Sequence, residues 1–216
     1  MRPYTIDIDP ANVDPDGLAD GNSSAGATLT LDGALTSGGT FTSADGLAHR
    51  LDIIDLGADD QTGATYTITG TDADGLAQTE TIAGPGASAT IETTKYFLTV
   101  SSVAIASPAA GSTVDMGTVD EVMSKTLPLN YRHVNAATHQ VDVTGTVNYT
   151  VLETLDDIHA AANPSALTYI ALSALSSKTA DLLVVGTVGV RACHLVINSY
   201  TDTAEIQFTT FQSEDI

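Results

Sequence analysis

The stretch Ala64–Ala83 constrains the fold more than any other part of the chain. Thr65, Thr67 and Thr69 alternate with Tyr66 and Ile68, a period of two that gives a strand two unlike faces. Gln78–Ile82 alternates again. Between the two runs, Asp74-Gly75 supplies a turn that tolerates positive φ. A β-hairpin follows from these features together.

The rest of the chain repeats this pattern. Ala27–Leu31, Gly39–Phe41, Ala48–Leu56, Ala89–Thr93 and Thr113–Val119 read as short strands between turns rich in Gly, Pro and Asp. In Ala48–Leu56 the alternation points Leu51, Ile53 and Leu56 inward. Tyr96–Ala106 is apolar and β-branched, as a central strand requires. Further on, Thr138–Glu153 alternates with Gly145 as a bulge. Leu182–Val185, Val188–Ile197 and Glu205–Phe211 are strands, with Asn198–Thr203 a hairpin loop between the last two. Ser165–Ser176 reads either as a short helix or as a strand followed by a turn. Asp-Gly-Leu-Ala recurs at Asp16, Asp45 and Asp74, each copy 29 residues after the last. Its flanks barely match, so it is recurrent turn chemistry with Leu entering the next strand.

The expected fold class is all-β, with two small β-sandwich domains of jelly-roll or Ig-like type. Residues 26–120 form the first domain and 129–216 the second, with 121–128 as linker. Residues 1–25 form an extended N-terminal arm, because Asp9-Pro10 and Asp14-Pro15 hold the backbone extended and remove donors. Such an arm is either ordered on a neighbouring subunit or disordered.

Charge sharpens the division. The chain carries 27 acids against 7 Lys and Arg, a net charge of −20. Residues 1–124 hold 18 of the acids and 3 of the bases, whereas residues 125–216 hold 9 and 4. This balance opposes nucleic acid, which needs a basic surface, and opposes an anionic membrane. It suits solubility, a basic partner or cations. No apolar run reaches the length of a membrane span, and the N-terminus lacks the apolar core of a secretory signal. Assembly in a bacterial cytoplasm is the expectation. Cys193 is the single cysteine, which excludes an intrachain disulfide.

Motifs for chemistry are weak throughout. Asp72-x-Asp74-Gly75 begins like a calcium loop, but Leu76 stands where a third oxygen ligand is needed and Glu80 is misplaced. Asp59-Asp60 and Asp156-Asp157 suit turns. His49, His133, His139, His159 and His194 form no metal-ligand spacing. Cys193 and His194 adjoin on a strand and so face opposite ways, the wrong geometry for a nucleophile and its base. No phosphate loop, dinucleotide fingerprint or nucleophile elbow occurs. A glycosidase carboxylate pair stays open on acid count alone, against a 5% aromatic content that leaves little to stack on sugars. No catalytic, cofactor or metal residue is expected.

Two segments carry a resemblance: TGATYTITGTDADGLAQTETIAGPGASATIETTKYFLTVSSVAI, and VTGTVNYTVLETLDD continuing to VGVRACHLVINSYTDTAEIQFT. Over roughly residues 40–212 the chain resembles virion structural proteins of tailed bacteriophages. The resemblance implies a non-enzymatic particle component in many symmetric copies. The first expectation is a capsid decoration (cement) protein, a homo-oligomer and specifically a trimer. It would sit on the major capsid protein or neighbouring virion proteins. The alternatives are a neck or tail component and a receptor-binding adhesin.

Overall fold

The hairpin forms as its alternation dictates. The computed structural model describes residues 3–108, 112–129, 135–160 and 167–212. In it, strand β7 (Thr65–Thr71) pairs antiparallel with β8 (Ala77–Ala83), from Thr65 opposite Ala83 to Thr71 opposite Ala77. Tyr66 and Ile68 are fully buried, while the threonines between them stay half-exposed. The Asp72 carboxylate accepts the backbone N–H groups of Asp74 and Leu76, each at 2.9 Å, and Gly75 takes φ +78°. Asp72 is therefore a turn former.

The chain is all-β and divides into two compact units, Val13–Val119 and Met1–Asn12 with Asp120–Ile216. In Val13–Val119 the central strand is β10 (Thr99–Ala106), which pairs with β7 on one side. On its other side lie β3 (Thr28–Leu29) and β5 (Thr40–Thr42), with β4 (Thr36–Ser37) outermost. The same unit contains β6 (Ala48–Asp55) between β9 (Thr90–Glu92) and the first part, up to Val119, of β11 (Thr113–Met123), with β2 (Ala19–Ser23) on β11. The core joins Tyr66, Ile68, Val100 and Val103 to Leu51, Ile53, Val114 and Met116. Leu56 departs from its expected inward position and is 51% exposed, because β6 ends at Asp55 and the chain turns at Gly57.

Residues 1–25 are not a free arm over their described length. Leu18 and Ala19 are fully buried, and Leu18 N–H donates to the Met116 carbonyl at 2.8 Å. Further upstream, β1 (Tyr4–Ile8) pairs antiparallel with β18 (Glu205–Gln212). The extended backbone that the prolines impose is equally the backbone of an edge strand. Nor is 121–128 a linker. The boundary at 119/120 falls inside β11, and β12 (Leu127–Pro128) follows at once. Val122 and Leu127 are buried and Asp120 is exposed, so the segment is packed strand and not a free connector.

The other unit is built from two antiparallel sheets. One has the order β1-β18-β13-β16, with β13 at Ala136–Thr144 and β16 at Leu182–Val188. The second includes β15 (Ile170–Ala171), β14 (Val147–Thr154) and β17 (Ala192–Tyr200), with β12 beside β17. A 3-10 turn at Ser173–Leu175 follows β15, which settles the open reading of this stretch as a short strand and a turn; residues 161–166 lie outside the described part.

Two corners of this unit differ from expectation. The alternating run Thr138–Glu153 is two strands in different sheets, because Gly145 turns the chain with φ +77°. A Cβ there would lie 2.8 Å from the Thr203 carbonyl oxygen, so only glycine fits without a shift. Likewise the loop before β18 is not a hairpin, since β17 and β18 belong to different sheets. At both corners the chain crosses from one layer to the other.

Candidate functional site

Crossing between layers brings together residues that the sequence keeps apart. His139 on β13 and Glu153 on β14 meet inside the unit, with Nε2 2.9 Å from Oε1. The imidazole is fully buried and Glu153 is 5% exposed. Thr187 of β16 completes the cluster: its N–H donates to both carboxylate oxygens at 3.1 Å, and its hydroxyl donates to Oε2. Burial pushes the Glu153 carboxyl up, but the hydrogen bonds from His139 and Thr187 outweigh burial and hold it below its ordinary value. The His139 ring stacks on Phe208 at 5.7 Å between centroids, and its Nδ1 has no hydrogen-bond partner among the described residues.

A second histidine has a similar setting in the Val13–Val119 unit. His49 Nε2 lies 3.0 Å from Asp45 Oδ2. Ser43, Asp45 and His49 are the residue types of a hydrolase triad, but their connectivity is wrong for one. The Ser43 hydroxyl donates to the Asp45 carboxylate, so His49 is not placed to take its proton. The cluster closes the turn before β6, where Leu47 N–H also donates to Asp45 at 2.9 Å.

Two further buried acids, Asp55 and Glu80, are occupied in the same way. Asp55 accepts Gln61 Nε2 at 2.7 Å, Ser88 N–H at 2.9 Å and the Ser112 hydroxyl. Burial raises this carboxyl, yet those bonds together lower it below its ordinary value. Tyr66 donates its hydroxyl to Gln61 Oε1, which ties the hairpin to the same network. Glu80 accepts Thr94 N–H at 2.8 Å and Lys95 N–H at 2.9 Å, whereas Asp72 accepts the N–H groups of its own turn. Asp52 differs: it accepts Gly117 N–H at 3.2 Å, but burial outweighs its backbone hydrogen bonds and pushes it up to about 7.

The residues singled out in the sequence do not converge. Asp60 accepts Thr62 N–H at 2.9 Å, and Asp157 accepts His159 N–H at 3.0 Å, both local turn bonds. His194 Nδ1 lies 3.0 Å from the Ser124 carbonyl oxygen, and its ring packs on Tyr169 at 4.2 Å between centroids. Cys193 is fully buried, and burial first, then the Glu153 charge, pushes its thiol well above the ordinary range. His133 lies outside the described residues. Among the described residues no three His, Cys, Asp or Glu side chains group as a metal site, and no helix is long and apolar enough to cross a membrane.

Two depressions open on the unit that contains β13. One, of about 410 Å³, is bordered by Asp7, Asp9, Asp142 and Glu205. The other, of about 350 Å³, is lined among others by Glu153, Ile170 and Thr187. The Glu153 carboxylate in this lining is already held by His139 and Thr187. Sequence reasoning missed the His139–Glu153–Thr187 cluster because its signal is the corner at Gly145, read as a bulge within one strand. No protein-family model matches the chain, and no curated protein matches it either.

Proposed function

We propose that the chain is a non-enzymatic structural subunit of a tailed-phage virion, a decoration protein that assembles in copies on the head surface and reinforces contacts between capsomers. The observation that carries this reading is the use of the buried polar groups. Asp55, Glu80 and Glu153 are each held by three or more hydrogen-bond donors from the chain itself, so their chemistry goes into holding strands and corners in place. The β-sandwich architecture and the net charge of −20 fit a module that coats a surface and resists non-specific clumping. The phage resemblance of the hairpin and of the Val188–Tyr200 region supplies the setting.

The test is copy number in purified virions that carry the chain, measured by quantitative mass spectrometry against the major capsid protein. Hundreds of copies support decoration. A dozen or fewer would move the subunit to the neck or tail, and absence from the particle would overturn the virion reading altogether.

A further inference from the structure

The chain contains two Asp-Pro peptide bonds, Asp9-Pro10 and Asp14-Pro15. Such a bond is open to attack by its own aspartate. The side-chain carboxyl reaches the backbone carbonyl carbon in a five-membered ring, and the proline nitrogen leaves as a basic secondary amine. The fold treats the two bonds differently. Asp9 is exposed. The Asp14 carbonyl oxygen instead accepts two backbone N–H groups, from Thr118 at 2.9 Å and from Gly17 at 3.2 Å. The Asp14 N–H donates to the Thr118 hydroxyl at 3.1 Å, so the residue is fixed on both sides of its Cα. Gly117 lets β11 come this close, since a Cβ there would lie 2.1 Å from the same carbonyl oxygen. A Cβ on Gly17 would lie 2.8 Å from Asp14 Cγ, which places the carboxyl against its own turn. Two donors converging on one carbonyl oxygen are what stabilises negative charge as it develops there.

We infer that Asp14-Pro15 is a self-cleavage site, where the Asp14 carboxyl cuts its own backbone and divides the chain into residues 1–14 and 15–216. The proton the step needs is at hand. The Asp14 carboxyl is hydrogen-bonded to that of Asp16, and burial first, then this contact, raises it above its ordinary value, so the pair retains a proton to share. An Asp14 carboxyl oxygen attacks the Asp14 carbonyl carbon while the shared proton rests on Asp16. The oxyanion that forms is held by the N–H groups of Thr118 and Gly17. The bond to the Pro15 nitrogen then breaks, and that nitrogen takes the proton from Asp16. A cyclic anhydride remains on Asp14. One water opens it to the free C-terminal aspartate and returns a proton to the pair. The step runs once per chain, so it stands beside a structural role and does not depend on one. After the cut, β1 stays on β18 through strand pairing alone.

The test holds the purified full chain at about pH 5, folded and in urea, and follows intact masses with time. Asp9-Pro10 is the internal control, being the same dipeptide in the same molecule. In the folded chain, the fragments 1–14 and 15–216 are expected to appear at least about tenfold faster than the fragment 1–9, and urea is expected to abolish that advantage. Asp14→Ala is expected to lose the cut after residue 14, whereas Asp9→Ala keeps it. The comparison of folded chain with urea needs no variant, so it decides the matter even where Asp14→Ala fails to fold. Equal rates at the two bonds in the folded chain, a ratio unchanged in urea, no cleavage at either bond, or a cut after residue 14 in Asp14→Ala would overturn the assignment.

Discussion

His139 and Glu153 hold the two sheets of their unit together through one hydrogen bond, 2.9 Å from Nε2 to Oε1, with almost no water access to either group. Glu153 also holds Thr187 of the edge strand, so one carboxylate fixes three strands: β13, β14 and β16. Glu153→Ala removes the acceptor from buried His139 and from the N–H and hydroxyl of Thr187, and is expected to lower unfolding stability by about 3–5 kcal/mol, read by urea titration. Glu153→Gln keeps an acceptor and is expected to lose less. The folded carboxyl lies below its ordinary value of 4.5, so its contribution is present above that pH and disappears as pH falls through the folded value.

Asp52 works in the opposite direction. Its carboxyl is raised from 3.8 to about 7 by burial, so between those values the folded state holds a proton that the unfolded state has lost. Stability therefore falls as pH rises across this window. Asp52→Asn is expected to raise stability at pH 8 by about 1–2 kcal/mol and to change it little at pH 4, as thermal melts at the two pH values will show. An equal effect at both would remove the titration as its cause.

The N-terminal segment is expected to be indispensable to the fold. Leu18→Ala empties a fully buried site and should cost about 2–5 kcal/mol in a denaturant titration. Deleting residues 1–25 removes β1, β2 and Leu18 together and is expected to give a chain without a cooperative melt.

Gly70 faces the backbone of β10, and a Cβ there would lie 1.8 Å from the Thr99 carbonyl oxygen. Gly70→Ala must push two paired strands apart and is expected to destabilise by about 1–3 kcal/mol or more, measured by the shift in urea midpoint. Gly63→Ala, with open space around its Cβ, is the matched control.

Cys193 is expected to ignore thiol reagents in the folded protein and to titrate as one thiol per chain in denaturant, because it is fully buried with its thiol raised. Reaction at native-state speed would show that β17 opens.

Strands were legible wherever one face is buried and the other wet. The Tyr66/Ile68 alternation yields the hairpin in its observed register, and the apolar Tyr96–Ala106 run yields the central β10. All three Asp-Gly-Leu-Ala copies end on the first residue of a strand, at Ala19, Ala48 and Ala77, as turn chemistry implies. What alternation does not encode is which sheet a strand joins. Val141 and Val151 look alike in a period of two, yet Gly145 sends them into different layers. Charge also misled: Asp120 and Glu121 suggest a connector, yet both lie within β11 beside the buried Val122. The His139–Glu153 cluster was hidden for the same reason, since its geometry arises only once the layers are stacked.

The pairing of β1 with β18 bears on the order in which the molecule is made. Thr5 and Thr209 share a hydrogen bond across 204 residues. The Val13–Val119 unit has all its strands once β11 has emerged from the ribosome, and it can close while synthesis continues. The other unit must keep β1 waiting, unpaired, until β18 appears almost a whole chain later. A loop of that length is slow to close, and the waiting edge is open to strands of other chains meanwhile. Slow translation or crowding at this stage would therefore act on one half of the protein and spare the other.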